Sequence, residues 1–454
     1  MKISRKNSAV AFAVGAMVIA SATGCAPGSG NASAPVSASH SAVSKDVAAA
    51  GKVTLTVWDQ NTDGGINAAQ KKLNSEFEAK YPNVTINRVS RTFSDLKTTL
   101  KLALSSNTPP DVIQANQGYP DMGTFVQAGM LQDVNRYADA YGWNSRYPSA
   151  LLDLNRFTPD GKTWHTGNLF GVSQTGEMVG VYYNKTLLSK LGLKAPTTLD
   201  ELQSDMAAAK AAGVQALSFG NAEKTPGIHI FGTIQDATAG KKAVRDLVFN
   251  TGGKWTDPST VSAAKTLADW TAKGYVSSGS SGVSQDAAAA AFGKGQSLFL
   301  VQGTWELATL DQALGKQVGF TVLNDPTSGQ PATMGGEGLA WAVTGKAKQP
   351  DVAAAYIDFI TNANASQVLV DTGNLPAVPP ADWAPKTGSL EADIAAQWKK
   401  LNAADGLTPY LDYTTPTFFD TLTARAQNLI AGQDSPDAFT QALQTDYAAF
   451  QAKK

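Results

Sequence analysis

Apolar and polar positions along this chain follow two periods that take turns. Val53-Thr54-Leu55-Thr56-Val57 is rich in β-branched residues and alternates with period two, which predicts a strand closing at Trp58-Asp59. After the Gly64-Gly65 break, Ile66, Ala69, Leu73 and Phe77 recur at helical spacing as far as Tyr81-Pro82. Val84 to Val89 reads as the next strand. Phe93, Leu96, Leu100 and Leu104 mark a helix stopped by Pro109-Pro110, and Asp111-Val112-Ile113 is a third strand. Met122, Phe125, Val126 and Met130 share one face of a third helix. This alternation predicts an α/β fold with mostly parallel sheets flanked by helices.

A second block repeats the alternation. Glu177 to Tyr183 is strand-like. Thr198-x-x-Glu201 is a capping box: the hydroxyl satisfies a free backbone N–H and Glu201 returns the bond. Leu199, Leu202, Met206 and Ala209 form the apolar face of that helix, and Gly213 stops it. Asp257-Pro258-Ser259 opens another helix that ends at Gly274. Ser297 to Val301 is a strand that turns through Gly303-Thr304-Trp305 into a helix. Leu339 to Val343 is a strand led in by Gly335-Gly336-Glu337, and the C-terminal part is mainly helical with Pro-rich loops.

The N-terminus has a different texture. Lys2, Arg5 and Lys6 precede an apolar run from Ala9 to Ala20, and small residues lead to Cys25, the only cysteine. This is the pattern of an export signal, and the run is too short to span a bilayer. Ala22-Thr23-Gly24-Cys25 resembles a lipobox, with Ala22 where Leu is commoner. That resemblance implies cleavage of residues 1–24, lipid on Cys25 and a membrane anchor at the outer cell surface. A spare cysteine behind an ordinary signal is the plainer alternative. Residues 25–51 are rich in Ala, Ser, Gly and Pro and read as a tether, with the folded body starting near Lys52. A body of that length predicts two domains.

Charge is nearly balanced, with 37 basic and 38 acidic residues, and no basic block points to nucleic acid. A single cysteine excludes an internal disulfide. There is no Gly-x-Ser-x-Gly, no His-Glu-x-x-His and only three histidines, so no enzyme, metal or cofactor is expected.

Several fragments, taken in order, resemble the extracellular solute-binding proteins of carbohydrate ABC importers, the maltose-binding-protein group. They are Leu55-Thr56-Val57-Trp58, Phe77-x-x-x-Tyr81-Pro82-Asn83-Val84, Pro110-Asp111-Val112-Ile113, Ala128-Gly129-Met130-Leu131-Gln132-Asp133, Gly180-x-x-Tyr183-Asn184-Lys185, Ala291-Phe292-Gly293-Lys294-Gly295, Gly303-Thr304-Trp305 and Gly373-Asn374-Leu375-Pro376. The resemblance implies the two-lobe periplasmic-binding-protein-like fold, with a hinge and a cleft between the lobes. It places lobe one at 52–170 plus 324–370 and lobe two at 171–323 plus 371–454. It also implies a monomer that captures a neutral mono- or oligosaccharide and delivers it to the permease subunits of an ABC transporter.

A sugar site needs flat rings for C–H faces and directed polar groups for hydroxyls. Trp305 stands where the family places a stacking tryptophan; a core tryptophan is the alternative. Adjacent Glu306 reaches the same ligand or is a solvated first-turn carboxylate. Trp58, Asp59, Asn61 and Asp63 follow the first strand, and Asn116 and Gln117 end the third, where open α/β sheets bind ligands. Capping roles compete with this reading, most strongly at Asp121. Glu177 lies by the expected first crossing. Gly336 and Glu337 offer close backbone approach. Asp412 sits in a C-terminal loop that the resemblance brings to the ligand. Tyr410, Trp383 and His229 are weaker candidates. Trp143, Trp255, Trp270, Trp341 and Trp398 are assigned to packing. A charged solute such as a polyamine, a peptide or glycerol phosphate remains an alternative ligand. A secreted glycoside hydrolase, using two carboxylates, is the enzymatic one.

Overall fold

The computed structural model describes residues 42–453 apart from Asp63, Ser277 and Ser278, so the signal segment, Cys25 and most of the expected tether lie outside the described residues. Its two sheets follow from the two alternating blocks. In the first sheet the order is Val84–Ser90, Val53–Asp59, Val112–Ala115, Ala340–Val343, Val172–Ser173. The first three strands are parallel, and Ala340–Val343 runs antiparallel to both of its neighbours. The second sheet centres on Gly176–Asn184, which pairs antiparallel with Ser297–Gly303 on one edge. Its other edge takes Val318–Thr321 and Thr333–Glu337. Gln215–Ser218 and Leu407–Thr408 add parallel edge strands.

Local sequence explains the helices. Gly64–Lys80 buries Leu73 and Phe77, and the Phe77 ring packs edge-on against Tyr356, 5.4 Å away in the helix Pro350–Thr361. Phe93–Ser105 buries Leu96, Leu100 and Leu104, and the Thr92 hydroxyl caps it by accepting from the Asp95 amide. Leu199–Ala211 carries the expected capping box. The expected helix across Met122 to Met130 is shorter. Tyr119–Gly123 forms a wide π turn, Thr124–Gln127 one further turn, and Gly129 at φ 64° ends it before Met130. Asp121 is inside that turn and pairs with Lys97 instead of capping a helix.

Together with their helices the sheets form two lobes. The first core, with Leu55, Val57, Trp143 and Trp341, belongs to the first sheet, whereas Ile113, Ala115 and Ala340 of that sheet join a cluster that also holds Val179 and Phe299 of the second. Tyr182, Phe292, Leu300 and Trp398 cover one face of the second sheet, and Phe231, Trp255, Trp270 and Phe299 belong to a larger cluster on the other side. The five tryptophans assigned to packing are all buried. The folded body begins earlier than Lys52: Val47 is 2 % exposed, and the Asn83 side-chain amide donates to the carbonyls of Val47 and Gly51. Val43 and Ala50 pack against the same core.

The chain crosses between the sheets three times. Gln174–Thr175 lies between Val172–Ser173 and Gly176–Asn184, and Gly338–Leu339 between Thr333–Glu337 and Ala340–Val343. The third crossing runs from Leu369, in the first core, to Leu375, in the second-sheet core. The crossings are hydrogen-bonded to one another, Gly338 N to Thr175 O, Gly176 N to Leu375 O and Ala377 N to Gln174 O. Two expected boundaries shift as a result. Val172–Ser173 stays in the first sheet, and Thr333–Glu337 joins the second. Gly335-Gly336-Glu337 is therefore a paired strand and not a lead-in loop. Gly336 sits opposite Glu177 at φ 134°, and a Cβ there would meet Leu154 at 2.8 Å. That positive φ favours glycine, which is why one stands in this ladder.

Candidate functional site

A cavity of about 580 Å³ opens between the lobes, within the usual range for small-molecule sites. Its first-lobe wall comes from the carboxyl ends of strands. Gln60, Asn61 and Thr62 follow Val53–Asp59, and Gln114 and Asn116 close Val112–Ala115. Phe93 joins them from the start of its helix. The second-lobe wall is built by Glu177 at the start of its strand, by Thr304, Trp305 and Glu306 after Ser297–Gly303, and by the loop Tyr410, Asp412 and Tyr413. His229 enters from the first turns of Thr225–Ala239. Residues of all three crossings, Thr175, Leu339 and Asn374, also reach the cavity.

Trp305 owes its pose to Gly303. A Cβ at position 303 would lie 2.0 Å from the indole, so only glycine lets the ring fold back over the strand end. From there a row of rings runs along the wall. Trp305 to His229 is 5.2 Å between centroids, His229 to Tyr410 is 6.1 Å and Tyr410 to Tyr413 is 5.6 Å. The Tyr413 hydroxyl donates across the cleft, 3.1 Å from both Asn116 Oδ1 and Gln117 Oε1.

Burial controls the protonation of the wall. Desolvation pushes the Glu177 carboxyl up to about 7, against the pull of the Tyr410 hydroxyl, which donates to it at 3.4 Å. Glu306 rises to about 7 through burial, and the neighbouring Asp286 adds to the rise. Asp412 rises to about 6 through burial, with Lys97 opposing. Burial lowers His229 to about 4, which keeps its imidazole neutral. Among the described residues, His229 Nδ1 and the Asn61 side-chain nitrogen Nδ2 are both buried without a hydrogen-bond partner. Among the described residues lining the cavity there is no lysine or arginine.

The expected site residues divide. Asn61, Asn116, Glu177, Trp305, Glu306 and Asp412 line the cavity, as do the weaker candidates Tyr410 and His229. Trp58, Asp59, Gln117, Gly336 and Glu337 do not. Asp59 is fully buried beneath the wall and grips Arg88 through both oxygens, while also accepting from Ser90 Oγ and the Asn61 amide. Trp58 carries the Arg91 guanidinium 4.7 Å above its ring. Gln117 donates to the Gly338 carbonyl at 2.8 Å, behind the cavity. Glu337 accepts from Asn155, and burial pushes it up to about 8. Trp383 donates to Glu391. Asp63 lies outside the described residues. Phe93, Gln114, Tyr413 and Phe419 line the cavity without having been singled out. Tyr410-x-x-Tyr413 flanking Asp412 was a usable signal, and so was a polar Gln114 in the apolar strand Val112–Ala115.

Comparison with known proteins converges on one group. Residues 72–399 match the family described as bacterial extracellular solute-binding protein. A curated relative, the multiple sugar-binding protein of Streptococcus mutans serotype c, is 25% identical over 334 residues, 72% of this chain and 75% of its own length. A chitin oligosaccharide binding protein of known structure superposes with a TM-score of 0.77 at 23% identity, covering 88% of this chain and 99% of that one. The solute-binding protein RafE in complex with raffinose gives 0.68 at 19% identity, over 88% and 100%. At these identities the two structures establish the fold.

Proposed function

This chain belongs to the bacterial extracellular solute-binding proteins, and from that premise we propose that it captures a sugar or oligosaccharide between its lobes and delivers it to an ABC import permease. The observation that carries the reading is the makeup of the cavity. One wall is a row of rings suited to sugar C–H faces. Both walls carry polar side chains suited to sugar hydroxyls, Asn61, Gln114 and Asn116 on one and Glu177, Glu306 and Asp412 on the other. The multiple sugar-binding relative and the oligosaccharide-binding structures support the same ligand class. The lack of a lysine or arginine among the described lining residues disfavours phosphate or another anion.

Calorimetry of the purified protein against a panel of mono- and oligosaccharides tests the reading. At least one sugar is expected to bind and raise the melting temperature by mass action. If no sugar does so, the proposal fails. The reading assigns the chain no catalytic step, so a bound oligosaccharide should be recovered at its original length. Shorter products would favour a hydrolase.

The extracellular placement is that of the family. Attachment through lipid on Cys25 belongs to the same proposal and rests on the leader and the lipobox-like residues. Among the described residues no helix is long and apolar enough to cross a membrane. Cys25→Ser is expected to release the protein from the membrane fraction of a Gram-positive host. Unchanged retention would remove the lipid anchor.

A further inference from the structure

We infer that Phe93 and Lys97 of the first lobe form a socket for Phe419 of the second, a latch that draws the cleft shut before any ligand arrives. The inference concerns closure and stands on the two-lobe fold, whatever the ligand. Phe93 and Lys97 lie one turn apart in the helix Phe93–Ser105, so their side chains share a face. The Thr92 cap fixes the first turn, which carries Phe93. That helix joins Val84–Ser90 to Val112–Ala115, both strands of the first sheet. Phe419 stands near the start of Phe418–Ile430, which packs on Thr225–Ala239 and through it on the second sheet.

The Phe93 and Phe419 rings are 6.4 Å apart between centroids and inclined at 61°, an edge-to-face pair. The Lys97 ammonium lies 4.2 Å from the centre of the same Phe419 ring, within cation–π range. One lobe thus supplies a ring and a cation, and the other a single ring that takes both. Asp121 of the first lobe holds the Lys97 ammonium, so little freedom is lost when Phe419 meets it. Lys97 also acts on the second lobe at Asp412, where it opposes the rise that burial causes in that carboxyl. Both phenylalanines are partly exposed, so parting them leaves the cores intact. A ring pair and a cation–π contact made only while the walls are together shift an open–closed equilibrium by on the order of tenfold. Apparent affinity scales with the binding-competent fraction, so the latch sets affinity through closure.

Solution scattering of the sugar-free protein tests the latch, with Phe419→Ala and Lys97→Met compared with the parent. Lys97 is not among the described lining residues, so its variant does not act through a lost ligand contact. If Phe419→Ala melts far below the parent, Phe93→Leu takes its place, losing the ring pair but keeping an apolar side chain. Without sugar, the variants are expected to have a larger radius of gyration than the parent. Saturation with a sugar that binds should bring all the radii together, with a larger fall in the variants. Calorimetry should show every sugar that binds losing about threefold or more in affinity, by a common factor. A sugar-free radius unchanged by the phenylalanine variant would overturn the latch. So would affinity lost for some sugars only, which marks a ring that touches the ligand directly; either result leaves the sugar reading standing. If no sugar binds the parent, the sugar reading fails, and the sugar-free radii still decide the latch.

Discussion

Gly303 decides where the Trp305 ring goes, and Trp305 decides how much ring surface the cavity offers. Trp305→Ala should therefore weaken sugar binding by about 2–4 kcal/mol, as at buried aromatic hot spots. Because the ring is only partly buried, the melting temperature should change little. The reverse result, intact affinity with a collapsed melting temperature, would return Trp305 to the core. Asp59 shows the opposite case from the same kind of signal. Both residues stand at the carboxyl end of a strand, yet Asp59 points down into the Arg88 guanidinium. Asp59 faces inward because the strand's alternation buries Val53, Leu55, Val57 and Asp59 on one side. The period-two pattern that predicted the strand already implied this.

The elements of the second lobe are joined by one buried carboxyl outside the cavity. Asp236 in Thr225–Ala239 accepts from the Thr408 hydroxyl at 3.0 Å. Burial pushes its pKa up to about 7. The folded protein therefore keeps a proton that the unfolded chain releases near pH 4. Stability from this group is full below about pH 4 and is lost as the pH rises through about 7. Asp236→Asn keeps an acceptor for Thr408 and removes the titration. The variant should be more stable than the parent at pH 8 by on the order of 2–4 kcal/mol, and the gap should close towards pH 4. Denaturant melts at both values measure it, and equal stability of the two proteins at pH 8 would refute the argument. The helix start at Thr198 was readable beforehand, because a capping box acts within a few residues. The strand Thr333–Glu337 was not, because its Gly-rich sequence imitates a loop and only its partners make it a strand.

The whole molecule is held in this arrangement by contacts that cross the cleft. Tyr413 reaches Asn116 and Gln117, the Tyr119 ring lies 4.8 Å from Phe450, and the Lys97 ammonium sits 4.2 Å above Phe419. Three hydrogen-bonded crossings supply a hinge. Such a body can populate open and closed forms, and a ligand touching both walls favours the closed one. The radius of gyration from solution scattering should fall when a binding sugar is added. An unchanged radius at saturation would count against closure around the ligand.

What the sequence by itself determined is local and ordered: many of the strands and helices, the capping box at Thr198, and that two alternating blocks form an α/β body. Side-chain period and capping act within one turn or one strand, so neighbours along the chain suffice to reveal them. Which strand-end residues face the cavity was decided only by tertiary structure. Asn61 and Asp59 are two apart, but Asp59 pairs with Arg88 beneath the wall while Asn61 lines the cavity. Gln117 turns away to a carbonyl 221 residues along the chain, and Tyr413 joins the site through partners 296 and 297 residues away. Those pairings depend on sheet order and on crossings between lobes, and no local period encodes either.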